Sequence, residues 1–497
     1  MRFFALAFLF LISIAASGQD YVLPFDRLSQ LRQDRAGIGF QEQAHTAAKP
    51  ILFSSIDVTN IQGLGDDTTT YYFKINEKIF SEHLIEMDKL DFQLAADFLF
   101  DFAYGQELID EVSDERSENS LFQNTRGFLL QGKIGDRVYF YTDFRENQGR
   151  YPAYVNVFVD SLGIMPGSGR VKEFKEDGYD YSMASGFVGI EAADWLDLSF
   201  GHFKQFIGHG YRSLLLSDNA HNYPFASYDL NLLQGRIKHR YTLALMQDLE
   251  RLPQGETPES IFKRKVSNWN YLSFKPIKNL EIGIFEQVIW KVFDDSLGSQ
   301  PFDYRALIPL PGLNSAILGL EDEENNALLG LNLAWFPVSR WRIYGQMVFD
   351  NNQLEPNGFQ LGSRFASIWN RFDAQVEYNR SEWETGGVPG DLQANFHFNQ
   401  PLGHPLASGF EEIYTELTFY HKRIFVLARV NIQRQLGDSP IKNDRNIYRI
   451  QPSYVFNPSS NMMVYAGYTF RVSNAMGDNA FWSIGIRTSL NNRYTDF

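Results

Sequence analysis

The sequence predicts an all-β fold: a transmembrane antiparallel β-barrel of about 18 strands, with a small helical periplasmic N-terminal segment. Three observations predict it. Segments of about ten residues alternate apolar and polar side chains. Tight turns alternate with long connections along the chain. Aromatic residues make up 15% of the chain, with 43 Phe, 25 Tyr and 8 Trp, yet mean hydropathy is only −0.29. A barrel reconciles the last two quantities. Only alternate residues meet lipid, so mean hydropathy stays low while the interface girdles require aromatics.

The N-terminus reads as a secretory signal over residues 1–18. Arg2 supplies the positive charge, residues 3–16 are an uncharged run, and Ala16-Ser17-Gly18 offers a small-residue cleavage site before Gln19. The run is too short to span a bilayer comfortably as a helix. The chain has 0 Cys, which removes a lipid-modified leader, disulfides and thiolate-bound metals.

Residues 19–89 do not follow the barrel pattern. Two short amphipathic helices are expected, over residues 25–32 and 76–88, flanking the Gly- and Thr-rich stretch 63–70. The expected placement is a small periplasmic piece beneath the barrel; a plug inside the lumen is the rival.

The barrel is expected over residues 90–497. Its strands are placed at 90–104, 122–134, 137–147, 184–192, 195–206, 226–235, 238–248, 266–275 and 280–291, then at 326–336, 341–351, 359–368, 371–380, 411–420, 424–434, 445–455, 462–472 and 479–490. In one such segment Val426, Ala428, Val430 and Ile432 alternate with Leu427, Arg429, Asn431 and Gln433. In another, Trp482, Ile484 and Ile486 alternate with Ser483, Gly485 and Arg487. Charges, amides and hydroxyls on the second face do not suit a dry sandwich core; a water-filled lumen accepts them. Short turns such as Gly135-Asp136 and Ala193-Asp194 fall on the periplasmic side, and aromatics near the turns (Trp195, Trp335, Phe336, Phe419, Tyr420, Tyr454) suggest a girdle there. Phe497 ends the chain after Tyr494. A terminal aromatic on a last strand is what barrel-assembly machinery commonly reads.

Net charge is −15. That balance argues against nucleic-acid binding, which wants basic patches. Glu107, Asp110, Glu111, Asp114, Glu115 and Glu118 make one long connection acidic, and residues 321–324 another. Such loops are either solvated or a cation- and lipopolysaccharide-bridging surface.

The densest constellation lies between 146 and 225. It holds Glu146 to Pro152, Pro166-Gly167-Ser168-Gly169, Asp180-Tyr181, and the run Gly208-His209-Gly210-Tyr211-Arg212-Ser213-Leu214-Leu215-Leu216-Ser217-Asp218-Asn219. Gly210 to Asp218 resembles the strongest signature of the Wzi-like capsule-assembly family of outer-membrane proteins, and within it the RemB gliding-motility proteins. The flanking motifs and Glu82-His83-Leu84-Ile85 are similar to that family as well, over about residues 75–235; beyond that the resemblance is architectural. It implies an eighteen-stranded barrel with periplasmic helices and a role in holding surface polysaccharide. The candidate polysaccharide-binding residues are Glu146, Arg150, Tyr151, Tyr211, Arg212, Asp218, Asn219 and Tyr223. Arg212 offers a planar fork for sugar carboxylates. Tyr151, Tyr211 and Tyr223 offer faces for sugar rings. Asp218 and Asn219 can hydrogen-bond hydroxyls or cap a turn. The competing role is structural: a loop folded into the lumen and tied by Arg212 to a carboxylate such as Asp218 or Glu146.

Enzyme motifs are poor. No zinc-protease helix, phosphate loop or nucleophile elbow is present. Ser260-Ile261-Phe262-Lys263 and Ser217-Asp218-Asn219 imitate a penicillin-binding pattern in reversed order, without the third motif. His202, His209 and His221 have no standard metal spacing, and no cofactor is expected. The expected function is a non-catalytic outer-membrane barrel that binds or anchors surface polysaccharide, or supports gliding motility and adhesion. The alternative is a passive diffusion porin. Expected partners are polysaccharide, lipopolysaccharide and outer-membrane lipid, the barrel-assembly machinery during insertion, and motility or secretion proteins.

Overall fold

The structure is a computed structural model describing residues 25–41, 44–51, 72–112, 119–175, 177–251, 262–294, 298–320, 325–350, 355–383, 385–387, 391–437, 443–488, 492 and 494–497. The signal reading of residues 1–18 and the acidic run 321–324 lie outside them.

Eighteen strands close into one antiparallel barrel. They are β1 (Phe92–Asp110), β2 (Ser120–Ile134), β3 (Val138–Arg150), β4 (Gly178–Ala193), β5 (Leu196–Phe203), β6 (Tyr223–Leu232), β7 (Ile237–Arg251), β8 (Phe262–Ile277) and β9 (Leu280–Trp290). There follow β10 (Asn326–Val338), β11 (Trp341–Phe349), β12 (Pro356–Ile368), β13 (Phe372–Ser381), β14 (Phe410–His421), β15 (Ile424–Gln435), β16 (Arg445–Asn457), β17 (Met462–Ser473) and β18 (Asn479–Thr488). Consecutive strands pair, and β18 closes on β1 with Asn479 opposite Asp110 and Arg487 opposite Asp101.

The two faces of the wall are inverted relative to a soluble protein. Along β3, Asp143 and Asn147 point inward and are buried, while Phe144 between them points outward and is exposed. Phe98, Phe128, Leu331, Val376, Ile413 and Ile450 continue the exposed outer belt. Acyl chains are the solvent that this surface fits, and a closed cylinder leaves no unpaired strand edge within them. The chain is therefore an outer-membrane barrel. Trp195, Trp335 and Tyr454 face outward near the short turns. Phe336 and Tyr420 do not: Phe336 is buried against the His209 ring, and the Tyr420 ring lies 3.2 Å beneath the Arg35 guanidinium.

Three expectations are corrected. First, helix α2 (Lys74–Phe80) stops short, and Ile85–Lys89 is a strand pairing with the lower end of β1. That end of β1 extends past β18, so its backbone groups need a partner. Second, Phe497 is not on the last strand. β18 ends where Thr488 meets Met462, the first residue of β17, and the stretch of β1 beyond it is paired by Ile85–Lys89 instead. The Phe497 ring lies 4.7 Å from that of Phe158 and 6.0 Å from that of Tyr154. Third, the lumen is not simply wet, because segments fold into it.

Of the two placements expected for residues 19–89, residues 25–51, as far as they are described, lie within the lumen at the short-turn end. α1 (Arg27–Ala36) is capped by Asp26, whose carboxylate accepts from the Leu28 and Ser29 amides, and it stops at Gly37 with φ 68°. Arg27 pairs with Glu416 at 2.5 Å, Arg35 with Asp373 at 2.5 Å, and Asp34 with Arg342 and Arg364 at 2.8 Å each. α2 instead hangs beneath the wall, where Arg423 donates to the Phe80 carbonyl and Asn457 to those of Lys78 and Glu82.

One outer connection descends on the outside of the wall. Residues 302–320 carry a 3-10 turn (Tyr304–Leu307) and a short helix (Leu313–Leu318). They cover outward-facing Tyr241, Asn270 and Glu286. Tyr241 Oη donates to the Ala306 carbonyl at 2.5 Å, and the Ser315 amide and hydroxyl both donate to Glu286 at 2.8 Å. The strap's own outer surface presents Tyr304, Leu307, Leu310 and Ile317. A carboxylate facing acyl chains would be costly. The strap supplies Glu286 with donors and restores the apolar belt over it.

Candidate functional site

Helix α3 (Ala153–Leu162) roofs the lumen after β3, and residues 204–222 descend into it from β5. Ile207 pairs with Ala48, and the Gly208 amide donates to the Ala47 carbonyl at 3.0 Å, joining this segment to the N-terminal one. Leu214, Leu215 and Leu216 form a dry core with Phe206, Trp269 and Phe285. Gly210 is required for close approach: a Cβ there would lie 2.4 Å from Glu377 Oε2. Lys204 Nζ donates to the carbonyls of Gly167 at 2.6 Å and Asp218 at 3.0 Å, and burial pushes its amine down to about 8.

Between these segments and the wall lies a cavity of about 260 Å³, reaching from Arg27 of α1 to Tyr154 of α3. Its wall on β15–β18 is rich in arginine. Arg429, Arg449 and Arg487 line it, and Arg445 and Arg471 continue the same inward face of β16 and β17. Arg429 is matched by Glu416 at 3.0 Å. Among the described residues Arg449 reaches only Gln451, at 3.0 Å, and the Arg487 guanidinium lies 4.6 Å above the Tyr465 ring. Among the described residues, Arg445, Arg449 and Arg487 have no Asp or Glu carboxylate within ion-pair distance, and each has a buried guanidinium nitrogen without a hydrogen-bond partner, whereas Arg471 Nε donates to the Phe497 main-chain oxygen at 3.4 Å. Buried cations are ordinarily paired, and an anion entering the cavity would supply the missing partner. Tyr151, Tyr154 and Tyr181 stand across the cavity; the first and third share a hydroxyl contact of 3.0 Å.

The structure divides the sequence candidates. Arg150, Tyr151 and Tyr211 line the cavity. Arg150 sits at its rim, with Nη1 donating to Ser120 Oγ at 2.7 Å and Nη2 lying 3.8 Å from Asp177. Tyr211 stacks on Tyr414 with centroids 4.2 Å apart. Arg212 is wholly buried, paired with Glu412 and Asp496 rather than with Asp218 or Glu146. Asp218 accepts from Tyr494 Oη at 2.7 Å, Asn219 donates to the Pro401 carbonyl at 3.2 Å, and Tyr223 Oη accepts from the Gln205 amide at 2.9 Å. These three side chains hold the folded-in segment together. Glu146 lies on the outward face of β3, opposite Arg126, away from the lumen.

Sequence reasoning did not select the arginine wall. Its signal was present, since alternation puts Arg429 and Arg487 on the polar faces of β15 and β18. What alternation lacks is the knowledge that these faces adjoin one cavity. His202, His209 and His221 do not converge on a metal, and no metal-binding group occurs among the described residues.

Fold and site together define an outer-membrane β-barrel with an occupied lumen and an arginine-lined cavity. The sequence matches no protein-family model and no curated protein. Solved structures align with it to different degrees. Wzi of Escherichia coli is an outer-membrane protein involved in group 1 capsule assembly and a carbohydrate-binding β-barrel. It aligns with a TM-score of 0.55 at 12% identity, over 95% of this chain and 100% of Wzi. OccK5 (OpdH) of Pseudomonas aeruginosa aligns at 0.43 and 10% identity, over 79% of this chain and 97% of that one. A BenF-like porin of Pseudomonas fluorescens aligns at 0.43 and 10%, over 80% and 99%.

Proposed function

We propose that this barrel binds an acidic surface polysaccharide in its lumen, in capsule or exopolysaccharide assembly, without catalysing a reaction. The observation that carries the reading is the set of wall arginines without an Asp or Glu partner among the described residues, Arg445, Arg449 and Arg487, beside a cavity that tyrosines also line. Guanidinium groups suit sugar carboxylates, and tyrosine faces suit sugar rings. Arg150, Tyr151 and Tyr211 are assigned to this site with Arg429, Arg449 and Arg487. The likeness in fold to a carbohydrate-binding barrel supports the reading. The RemB-like run from Gly210 to Asp218 extends it to adhesion and gliding, which would draw on the same polysaccharide contact. Passive diffusion is disfavoured, because α1 and the segment 204–222 occupy the lumen.

The test is titration calorimetry of the detergent-solubilised protein with oligogalacturonate, with neutral dextran oligomers as control. Binding of the acidic oligomer alone, lost in Arg449→Gln/Arg487→Gln, is expected. Equal heats from both oligomers, or none from either, would overturn the reading. A deletion strain should lose surface polysaccharide, and scoring its spreading motility tests the gliding extension.

A further inference from the structure

The cavity already holds a piece of the chain. Residue 492 and residues 494–497 lie inside the lumen, and Asn492 and Thr495 themselves line the cavity. The contacts of this segment are those an acidic glycan would make. The Asp496 carboxylate lies 3.3 Å from Arg212 and 3.7 Å from Arg429, and accepts from Tyr211 Oη at 3.0 Å. The Thr495 carbonyl accepts from Tyr154 Oη at 2.8 Å. The Phe497 ring packs on Tyr154 and Phe158 of α3, where a sugar ring would stack. Carboxylate, acceptor oxygen and flat apolar face thus occur in sequence along the arginine wall.

We propose that residues 494–497, with Asn492, are a tethered occupant of the arginine-lined cavity, displaced when an acidic saccharide binds. The inference rests on the polysaccharide reading above and adds a regulatory element to it. The physical basis is competition for the same cations. Arg212 keeps Glu412 as a bidentate partner when Asp496 leaves, and Arg429 keeps Glu416, so neither buried guanidinium is stranded by release. The segment is bound to the wall by Asp496 and Phe497, while Tyr494 and Asn492 bind to the folded-in segments through Asp218 and the Phe25 carbonyl. Release of Asp496 and Phe497 therefore leaves the inner anchor in place, and the part of the cavity beside α3 opens without loss of the lumenal core.

Because the chain holds 0 Cys, a single thiol reports on the segment without background. The full-length Phe497→Cys variant is solubilised in detergent, and its modification by a charged, water-soluble maleimide is timed. Oligogalacturonate at saturation is expected to accelerate labelling at least about fivefold, and Asp496→Asn to accelerate it without ligand. Oxidative closure of a Phe158→Cys/Phe497→Cys pair should weaken oligogalacturonate binding about tenfold, with recovery on reduction. Binding by calorimetry with unchanged labelling would overturn the displacement alone and leave the polysaccharide reading standing. Absence of binding in the wild type and in the Arg449→Gln/Arg487→Gln variant alike would remove the polysaccharide reading, and the displacement with it. Unchanged labelling in Asp496→Asn would show that the carboxylate does not hold the segment, which also overturns the proposal.

Discussion

Arg212 and Glu412 face each other as a fully buried bidentate pair, with Nε to Oε2 at 2.9 Å and Nη2 to Oε1 at 3.1 Å. One comes from the folded-in segment and the other from the wall of β14. Asn431 and Gln433 of β15 donate to the same Oε1, at 3.1 and 2.8 Å. Removing one partner strands a charge in a dry place. Arg212→Ala is expected to destabilise the protein by about 3–5 kcal/mol, whereas Arg212→Leu/Glu412→Leu loses less than the two single changes summed. Thermal unfolding in detergent across the double-mutant cycle checks this. Additive losses would mean the pair is not coupled.

The arginine wall predicts a salt-sensitive affinity. Before it binds, the oligomer's carboxylates are exposed, and exposed charges are screened within about 8 Å at physiological ionic strength and more strongly at higher salt. Oligogalacturonate binding should therefore weaken about tenfold or more between low and high salt, and Arg449→Gln should flatten the slope. A salt-independent affinity would point to contacts other than the guanidinium groups.

Acid should loosen the lumenal segments. His404 Nδ1 accepts from the Leu406 amide, and His397 Nδ1 accepts from the Gln247 amide, so each ring must be neutral there. Burial lowers His404 to about 4 and His397 to about 3, while a partner amide leaves no room for a second ring proton. The unfolded state binds protons near pH 6.5 and the folded state does not, so stability is complete above about 6.5 and falls as pH drops towards 4. The slope approaches about 1.4 kcal/mol per pH unit for each histidine. Thermal unfolding between pH 7 and pH 4.5 measures it, and His397→Gln should remove part of the dependence.

The strap of residues 302–320 is expected to lie in lipid. Ile317 is more than half exposed on its outer side, at 54%. An arginine there should cost about 2–4 kcal/mol if the site is near the bilayer midplane and about 0–1 near the interface. Unfolding of Ile317→Arg from lipid vesicles distinguishes the two. Glu286→Ala, which leaves the Ser315 donors unmatched, should loosen the strap, seen as faster protease cleavage within 302–320.

The strand count, the antiparallel closure and the inverted faces were legible in the sequence because each is local. Phe144 between Asp143 and Arg145, or Val430 between Arg429 and Asn431, assigns one side of the wall to lipid and the other to the interior whatever the neighbours are. The close-packed glycines of the run from Gly208 to Asp218 could be suspected for the same reason. The partners of that run could not. Arg212 finds Glu412, 200 residues away, because closing the cylinder brings β14 beside a segment that leaves β5. The arginines of β15–β18 become one anion-receiving surface only when their strands adjoin. The placement of Asp496 and Phe497 follows from where the wall ends. Period-two patterning sets which way a side chain points, but only the closed barrel decides what it meets.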